Sequence, residues 1–207
     1  MTENQQARFK LLLPYIIGVL VGFMLLVGFR YLYVKPHKVH YHANFALYIN
    51  GEQDKLDNPG FYEEIQSCWD EHAANPKERV HLHDNNSHVV HVHSDAVTWA
   101  HLFSNLGYGL TNTSVQTSKG VFVDGVDGNS LIFILNGKVS RTVANEVIKS
   151  EDVLLIDYGK DTAETHTSRF NAIPHDAHEF NLRNDPNTCT GGKSESPLQR
   201  LERAIYK

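Results

Sequence analysis

Two hydrophobic patterns divide the chain. Residues 11–29 carry no charged side chain, and the apolar run resumes after Arg30 and continues to Val34. A helix that crosses the hydrocarbon layer needs about 20 apolar residues, which residues 11–34 supply. Pro14 stands near the start, where a missing N–H is tolerated, and Tyr15, Tyr31 and Tyr33 stand near the two ends, as interfacial aromatics do. A cleaved signal peptide has a shorter apolar region and a small-x-small cleavage site. Here the run ends in Phe29-Arg30-Tyr31-Leu32-Tyr33. The segment therefore reads as an uncleaved single-pass anchor, with residues 1–10 as a short arm before it.

After the anchor the period changes from continuous to alternating. Residues 39–49 place Val39, Tyr41, Ala43, Phe45, Leu47 and Ile49 on one side and His40, His42, Asn44, Ala46 and Tyr48 on the other, the signature of a half-buried strand. Asn50-Gly51 is a hairpin turn signal. Asn58-Pro59 reads as a helix start, with Phe61, Ile65, Cys68, Trp69 and His72 at helical spacing to about Ala73. Residues 80–83 and 89–93 are short strands around Asp84-Asn85-Asn86-Ser87. Thr98 or Asp95 caps a helix with inner face Trp99, Leu102, Phe103 and Leu106, stopped by Gly107. Residues 121–123, 131–135, 138–143 and 153–158 follow as strands, with Asn136-Gly137 as a second hairpin turn. Beyond Gly159 the pattern loosens, Pro174, Pro186 and Gly191-Gly192 marking a loop-rich tail with a weak stripe at Leu198, Leu201 and Ile205.

Runs of strands with two helices point to an α+β domain built on one mixed or antiparallel sheet. The expected organisation is an arm at 1–10, a transmembrane helix at 11–34, a histidine-rich domain at 37–160 and a tail at 161–207 packed on that domain. Residues 97–158 resemble the ubiquitin-like β-grasp pattern of small sulfur-carrier proteins. The resemblance rests on the helical stretch 98–106 with Gly107, on Phe133-Ile134-Leu135-Asn136-Gly137, and on Ser150-Glu151-Asp152-Val153-Leu154-Leu155-Ile156. It implies a β-grasp-like fold. Those carriers end in Gly-Gly, whereas Gly191-Gly192 is followed by further residues, so the activity is not carried over.

Composition narrows the function classes. A chain of 207 residues is too short for a polytopic transporter, and a (β/α)₈ barrel needs roughly 250 residues. A formal charge of −5 without a basic run outside the anchor flank argues against nucleic acid as partner. Arg8 and Lys10 precede the span and Arg30, Lys35 and Lys38 follow it, so the positive-inside count leaves orientation open. The short N-terminal arm and the two cysteines favour the cytoplasmic membrane with the C-terminal domain outside, periplasmic or extracellular. In an oxidising compartment, Cys68 and Cys189 are expected to form a disulfide.

The strongest outlier is histidine, 13 residues against two cysteines. His40-x-His42, His81-x-His83 and His91-x-His93 are three pairs at the spacing that puts both rings on one face of a strand. Register decides whether the second and third pairs meet. A two-residue Asn85-Asn86 turn splits Val80 and Leu82 from Val90 and Val92. A three-residue loop, Asn85-Asn86-Ser87, opposes His81 to His91 and His83 to Val89, gathering those four aliphatic side chains on one face. Burial favours that clean apolar face, and it collects His81, His83, His91 and His93 on the other. If the first strand lies alongside, His40 and His42 join them.

Neutral imidazoles without thiolates suit copper or zinc rather than a Cys-type structural site. Asp84, His88, Asp95, His175, His178 and Glu179 are further ligands or acceptors for an imidazole N–H, with His175 and His178 able to close over the sheet from the tail. His72 and His101 read as packing or hydrogen-bonding residues, and His37 and His166 lack a supporting pattern. Asn85 and Asn86 interrupt the H-x-H-x-D-H of metallo-β-lactamase-type hydrolases, and His91-Val92-His93 lacks the glutamate of a cupin motif. No H-E-x-x-H, G-x-S-x-G or phosphate loop occurs. The expected function is a membrane-anchored, extracytoplasmic copper- or zinc-binding protein for metal capture, delivery or sensing, working with a metal-handling or membrane-complex partner. Two alternatives stand beside it: a metal-dependent hydrolase or oxidase with an open coordination position, and a non-catalytic accessory subunit of a membrane complex.

Overall fold

The computed structural model describes residues 3–33, 39–62, 76–183 and 196–206. The chain divides into two units, residues 1–37 with 193–207, and residues 38–192. The first unit is dominated by α1 (Glu3–Tyr33). Its stretch Lys10–Tyr33, 24 residues with mean hydropathy 2.5, is long and apolar enough to cross a membrane, as a signal sequence near an N-terminus also is. The weak stripe at Leu198, Leu201 and Ile205 lies on α5 (Pro197–Tyr206), which belongs with α1 rather than with the sheet. Arg200 joins the two helices: its Nε donates to the Tyr31 carbonyl at 2.6 Å, Nη2 donates to the Leu32 carbonyl at 3.2 Å, and the guanidinium lies over the Tyr31 ring. The last carbonyls of a helix lack intrahelical donors, so a cation there satisfies both their hydrogen bonding and the helix dipole.

The second unit is α+β. Its strands are β1 (Tyr41–Ile49), β2 (Glu52–Gln53), β3 (Val80–Leu82), β4 (Val89–Val92), β5 (Gly109–Leu110), β6 (Ser114–Thr117), β7 (Gly120–Val123), β8 (Ser130–Leu135), β9 (Lys138–Ser140) and β10 (Val153–Gly159). The main sheet runs β3-β4-β1-β10-β8-β9, with β2 hairpinned onto β1. The β1–β10 pair is parallel and its neighbours are antiparallel, so the sheet is mixed. Both Asn-Gly hairpin turns form as expected, with positive φ at Asn50, Gly51, Asn136 and Gly137, a conformation that glycine and asparagine tolerate best. A second, three-stranded sheet of β5, β6 and β7 was not anticipated beyond the strand at 121–123.

The two faces of the main sheet bury different things. Phe45, Leu47, Val80, Leu82, Val90 and Val92 share the larger core with Trp99, Leu102 and Phe103 of α2 (Trp99–Asn105). Thr98 is the cap of α2, and its partner in the reciprocal box is His101, whose Nδ1 accepts the Thr98 N–H at 3.0 Å. The opposite face carries a smaller cluster of Ala46, Ile134, Val153, Leu155 and Ile173 with Phe170. Two helices that the loosened pattern did not reveal belong to this face, α3 (Ala163–Ala172) and α4 (Ala177–Leu182). The start expected at Asn58-Pro59 is a single 3₁₀ turn, Pro59–Phe61, capped by the Asn58 side chain. Tyr62 then turns extended and bridges to Leu82. The remainder of that expected helix, with Cys68 and His72, lies outside the described residues, as do Cys189 and His37, so the disulfide expectation falls there too.

Candidate metal centre

The β3–β4 hairpin has the register expected from its apolar face. Val80 pairs with Val92, His81 with His91 and Leu82 with Val90. Asp84 and Asn85 adopt left-handed backbone (φ 54° and 53°), and the Asn86 N–H closes the turn on the His83 carbonyl at 2.8 Å. Asp and Asn are the non-glycine residues that bear this conformation at least cost. On the other side of β4, His42 of β1 pairs with His91, and Ala43 with Val90. His81, His91 and His42 thus form a row across three adjacent strands, and the aliphatic partners of each strand point into the larger core.

Six imidazoles meet on this face. His40 and His93 stack at 4.8 Å between centroids with planes 12° apart, and His81 and His93 at 5.0 Å and 17°. His42 and His91 meet edge to face at 4.3 Å, His81 and His83 at 4.4 Å, and His83 and His91 at 4.5 Å. Ligand-capable atoms of His40, His91 and His93 all lie within 4.8 Å of one another, as do those of His81, His83 and His93. These are buried groups: His42, His81, His83 and His91 are only 1%, 2%, 4% and 3% exposed. Solvated imidazoles on an open strand face would not be excluded from water in this way.

Hydrogen bonds fix which nitrogen two of the rings present. The Asn181 Oδ1 accepts from both the backbone N–H of His42 at 2.9 Å and its Nδ1 at 2.8 Å, while the Asn181 Nδ2 donates to Ser150 Oγ and Glu151 Oε1. The Lys77 carbonyl accepts from His81 Nδ1. An acceptor on Nδ1 requires the proton there and leaves Nε2 as a lone pair, the arrangement by which outer partners orient metal-binding histidines. The His42 lone pair faces His91 Nδ1 at 3.0 Å, and that of His81 faces His83 Nε2 at 2.8 Å. With metal–nitrogen bonds of 2.0–2.1 Å, two nitrogens on one ion stand about 2.9 Å apart at a right angle and about 3.3 Å apart at the tetrahedral angle. The first pair lies within that range and the second just below it. Drawing a 4.8 Å separation to tetrahedral spacing needs under ~1 Å of movement from each ring.

Electrostatics hold His91 and His93 in the neutral form. Burial first, and then the neighbouring imidazoles His42, His83, His81 and His93, hold the His91 pKa far below its usual value. Burial, followed by His81, His40, His83 and His42, lowers that of His93 to about 2. Neutral imidazole binds metal, and imidazolium does not. Among the described residues, neither ring nitrogen of His93 has a hydrogen-bond partner, although both are buried. Such orphaned polar atoms are rare and call for an explanation.

The other residues expected as ligands or acceptors lie elsewhere. Asp84 and Asp95 are exposed in turns. His88 pairs with Asp176 at 3.0 Å, and Asn44 donates to the same carboxylate at 2.7 Å, anchoring the start of α4. His175 is exposed beside Phe170, His178 pairs with Glu151 at 2.9 Å, and Glu179 reaches Arg183 at 3.9 Å. None of these joins either group of convergent ligand atoms among the described residues. The tail does close over the sheet, but through Ala177, Phe180 and Asn181, one face of α4 at helical spacing. The Phe180 ring stands 5.7 Å from His42 and 6.3 Å from His91. Asn181 and the Lys77 carbonyl carry no signal in a sequence read for metal ligands.

A second buried polar cluster lies farther along the same face. Asp157 on β10 is fully buried and accepts from Arg169 Nη1 at 2.7 and 2.8 Å, with His166 Nδ1 at 2.9 Å; Arg169 also reaches Asp161 at 2.7 Å. It fastens α3 to the sheet and gives His166, which had no supporting pattern, a structural place. No family model matches this chain, and no curated protein or solved structure is significantly similar to it.

Proposed function

We propose that this protein is a membrane-anchored transition-metal binding protein that captures, delivers or senses copper or zinc. His81, His83, His91 and His93 are the central ligands, and His40 and His42 complete the set. One observation carries the reading: six imidazoles converge on one sheet face, and five of them, all but His42, form two groups whose ligand atoms lie within 4.8 Å of one another. An all-nitrogen donor set suits copper or zinc. Asp84 and Asp95, the carboxylates a hydrolytic reading would use as base, are exposed and stand outside both groups, which favours binding over turnover. In this reading α1 spans the cytoplasmic membrane once, with the domain outside, where it meets a metal-handling or membrane-complex partner. The strand order β4-β1-β10-β8-β9 with its parallel central pair, and α2 between β4 and β8, supports placing the domain among ubiquitin-like β-grasp folds.

The test is metal analysis of the full-length protein, solubilised in detergent and purified without a histidine tag. Stoichiometric copper or zinc is expected, and the double variant His83→Ala, His93→Ala should lose it while keeping a cooperative thermal transition. Full metal content in that variant would overturn the assignment.

A further inference from the structure

We propose that the site holds two metal ions, not one, and that His93 bridges them through both ring nitrogens. The proposal rests on the metal-binding reading above and goes further, to the number of ions and their coupling. The two convergent groups, His40–His91–His93 and His81–His83–His93, share one residue and no other. The sheet order explains why. Strand β4 lies between β1 and β3, so His93 has His40 on one side and His81 with His83 on the other.

An imidazole that binds one ion uses one nitrogen and gives its remaining N–H to an oxygen acceptor. His42 has such an acceptor in Asn181 and His81 has one in Lys77. His93 has none at either nitrogen among the described residues, and both nitrogens are closed to water. With a single ion bound, one N–H would stay buried and unpaired. A second ion removes that defect. The first ion takes the lone pair of the unprotonated nitrogen. When the second binds, the other nitrogen releases its proton to water and donates the freed pair, leaving an anionic ring between two cations. Two divalent ions offset that charge, so the ligand class is a pair of divalent transition-metal ions.

The experiment titrates the full-length, tag-free protein in detergent with copper(II) alone. It reads bound copper after desalting, the integrated electron paramagnetic resonance signal, and protons released. Two coppers per chain are expected, with a signal far below the bound copper because the ions couple through the shared ring, and an extra proton released with the second ion. Filling one position with zinc first should restore an ordinary isolated copper signal. His93→Ala should abolish the coupling. His40→Ala, which alters only one group and leaves the bridge residue in place, should retain a single, uncoupled copper. One copper per chain, or two with full independent signals, overturns the bridge and leaves the metal-binding reading standing. No bound copper or zinc overturns both.

Discussion

Metal-free protein should lose stability steeply between pH 7 and pH 5, well above the range in which carboxylates titrate. The cause is the neutral state that burial imposes on His91 and His93. Both folded pKa values are depressed, so the unfolded chain binds more protons once the pH falls below the ordinary imidazole value of about 6.5. The stability these groups contribute is present above that value and is lost as pH falls towards the folded values. Going from pH 7 to pH 5, each such imidazole in the unfolded chain gains about 1.9 kcal/mol from protonation, about 4 kcal/mol for the pair. For a domain of this size, 1 kcal/mol moves Tm by about 2–4 °C, so Tm should drop by roughly 8–16 °C. Burial opposes ionisation of Asp176, but hydrogen bonds from His88 and Asn44 prevail and hold its pKa below the usual carboxylate value. Its contribution therefore disappears only below pH 4 or so and does not enter this window. Circular dichroism melts in chelator at several pH values measure the effect. A Tm that moves by less than about 3 °C over the window would refute the claim that these rings stay neutral in the fold.

Other perturbations separate the parts of the site. Asn181→Leu removes the acceptor that orients His42; affinity for copper or zinc should weaken by about 10–100-fold in competition with a chromophoric chelator, with stoichiometry unchanged. Asp157→Ala leaves Arg169 and His166 without their buried carboxylate and should cost about 3–5 kcal/mol of stability by denaturant titration, again with metal stoichiometry intact. After alkaline carbonate washing, the full chain should remain in the membrane pellet; release into the supernatant would refute an anchoring role for α1.

What was legible in the sequence was whatever a two-residue period could encode. The alternation along β1, the aliphatic positions of β3 and β4, and the left-handed-tolerant Asp84-Asn85 together specify one hairpin register, and the six imidazoles follow from it. Thr98 and the face Trp99, Leu102, Phe103 likewise define α2. The helices on the imidazole-bearing face of the sheet were not legible, because polar pairs fix them and each contributes too few apolar side chains to make a stripe. Six-residue α4 is fixed by Asn44, Asp176 and Asn181, and α3 by the charge cluster around Asp157. Neither presents a hydrophobic period long enough to detect. His178 illustrates the consequence. It lies in the segment that covers the sheet, but on a helix rather than a loop, where its neighbours at helical spacing take the inner face and it pairs outward with Glu151.

The register also bears on how the proposed site would be held ahead of any metal. Slipping β3 by one residue against β4 would send Val80 and Leu82 to the imidazole face and drive His81 and His83 into the core. Burial of an aliphatic side chain contributes about 1.5–3 kcal/mol, so Val80 and Leu82 together oppose the slip by about 3–6 kcal/mol, and forcing His81 and His83 into the apolar core opposes it further. Two unpaired buried nitrogens on His93 cost on the order of 2–6 kcal/mol in the other direction. The apolar face sets the register that is observed. In this respect the domain differs from small zinc domains, whose ligands assemble only as the metal folds them. Here the valines hold the rings in place, the cost of crowding the imidazoles is met by the core behind them, and an ion bound as proposed would relieve that cost without having to organise the fold.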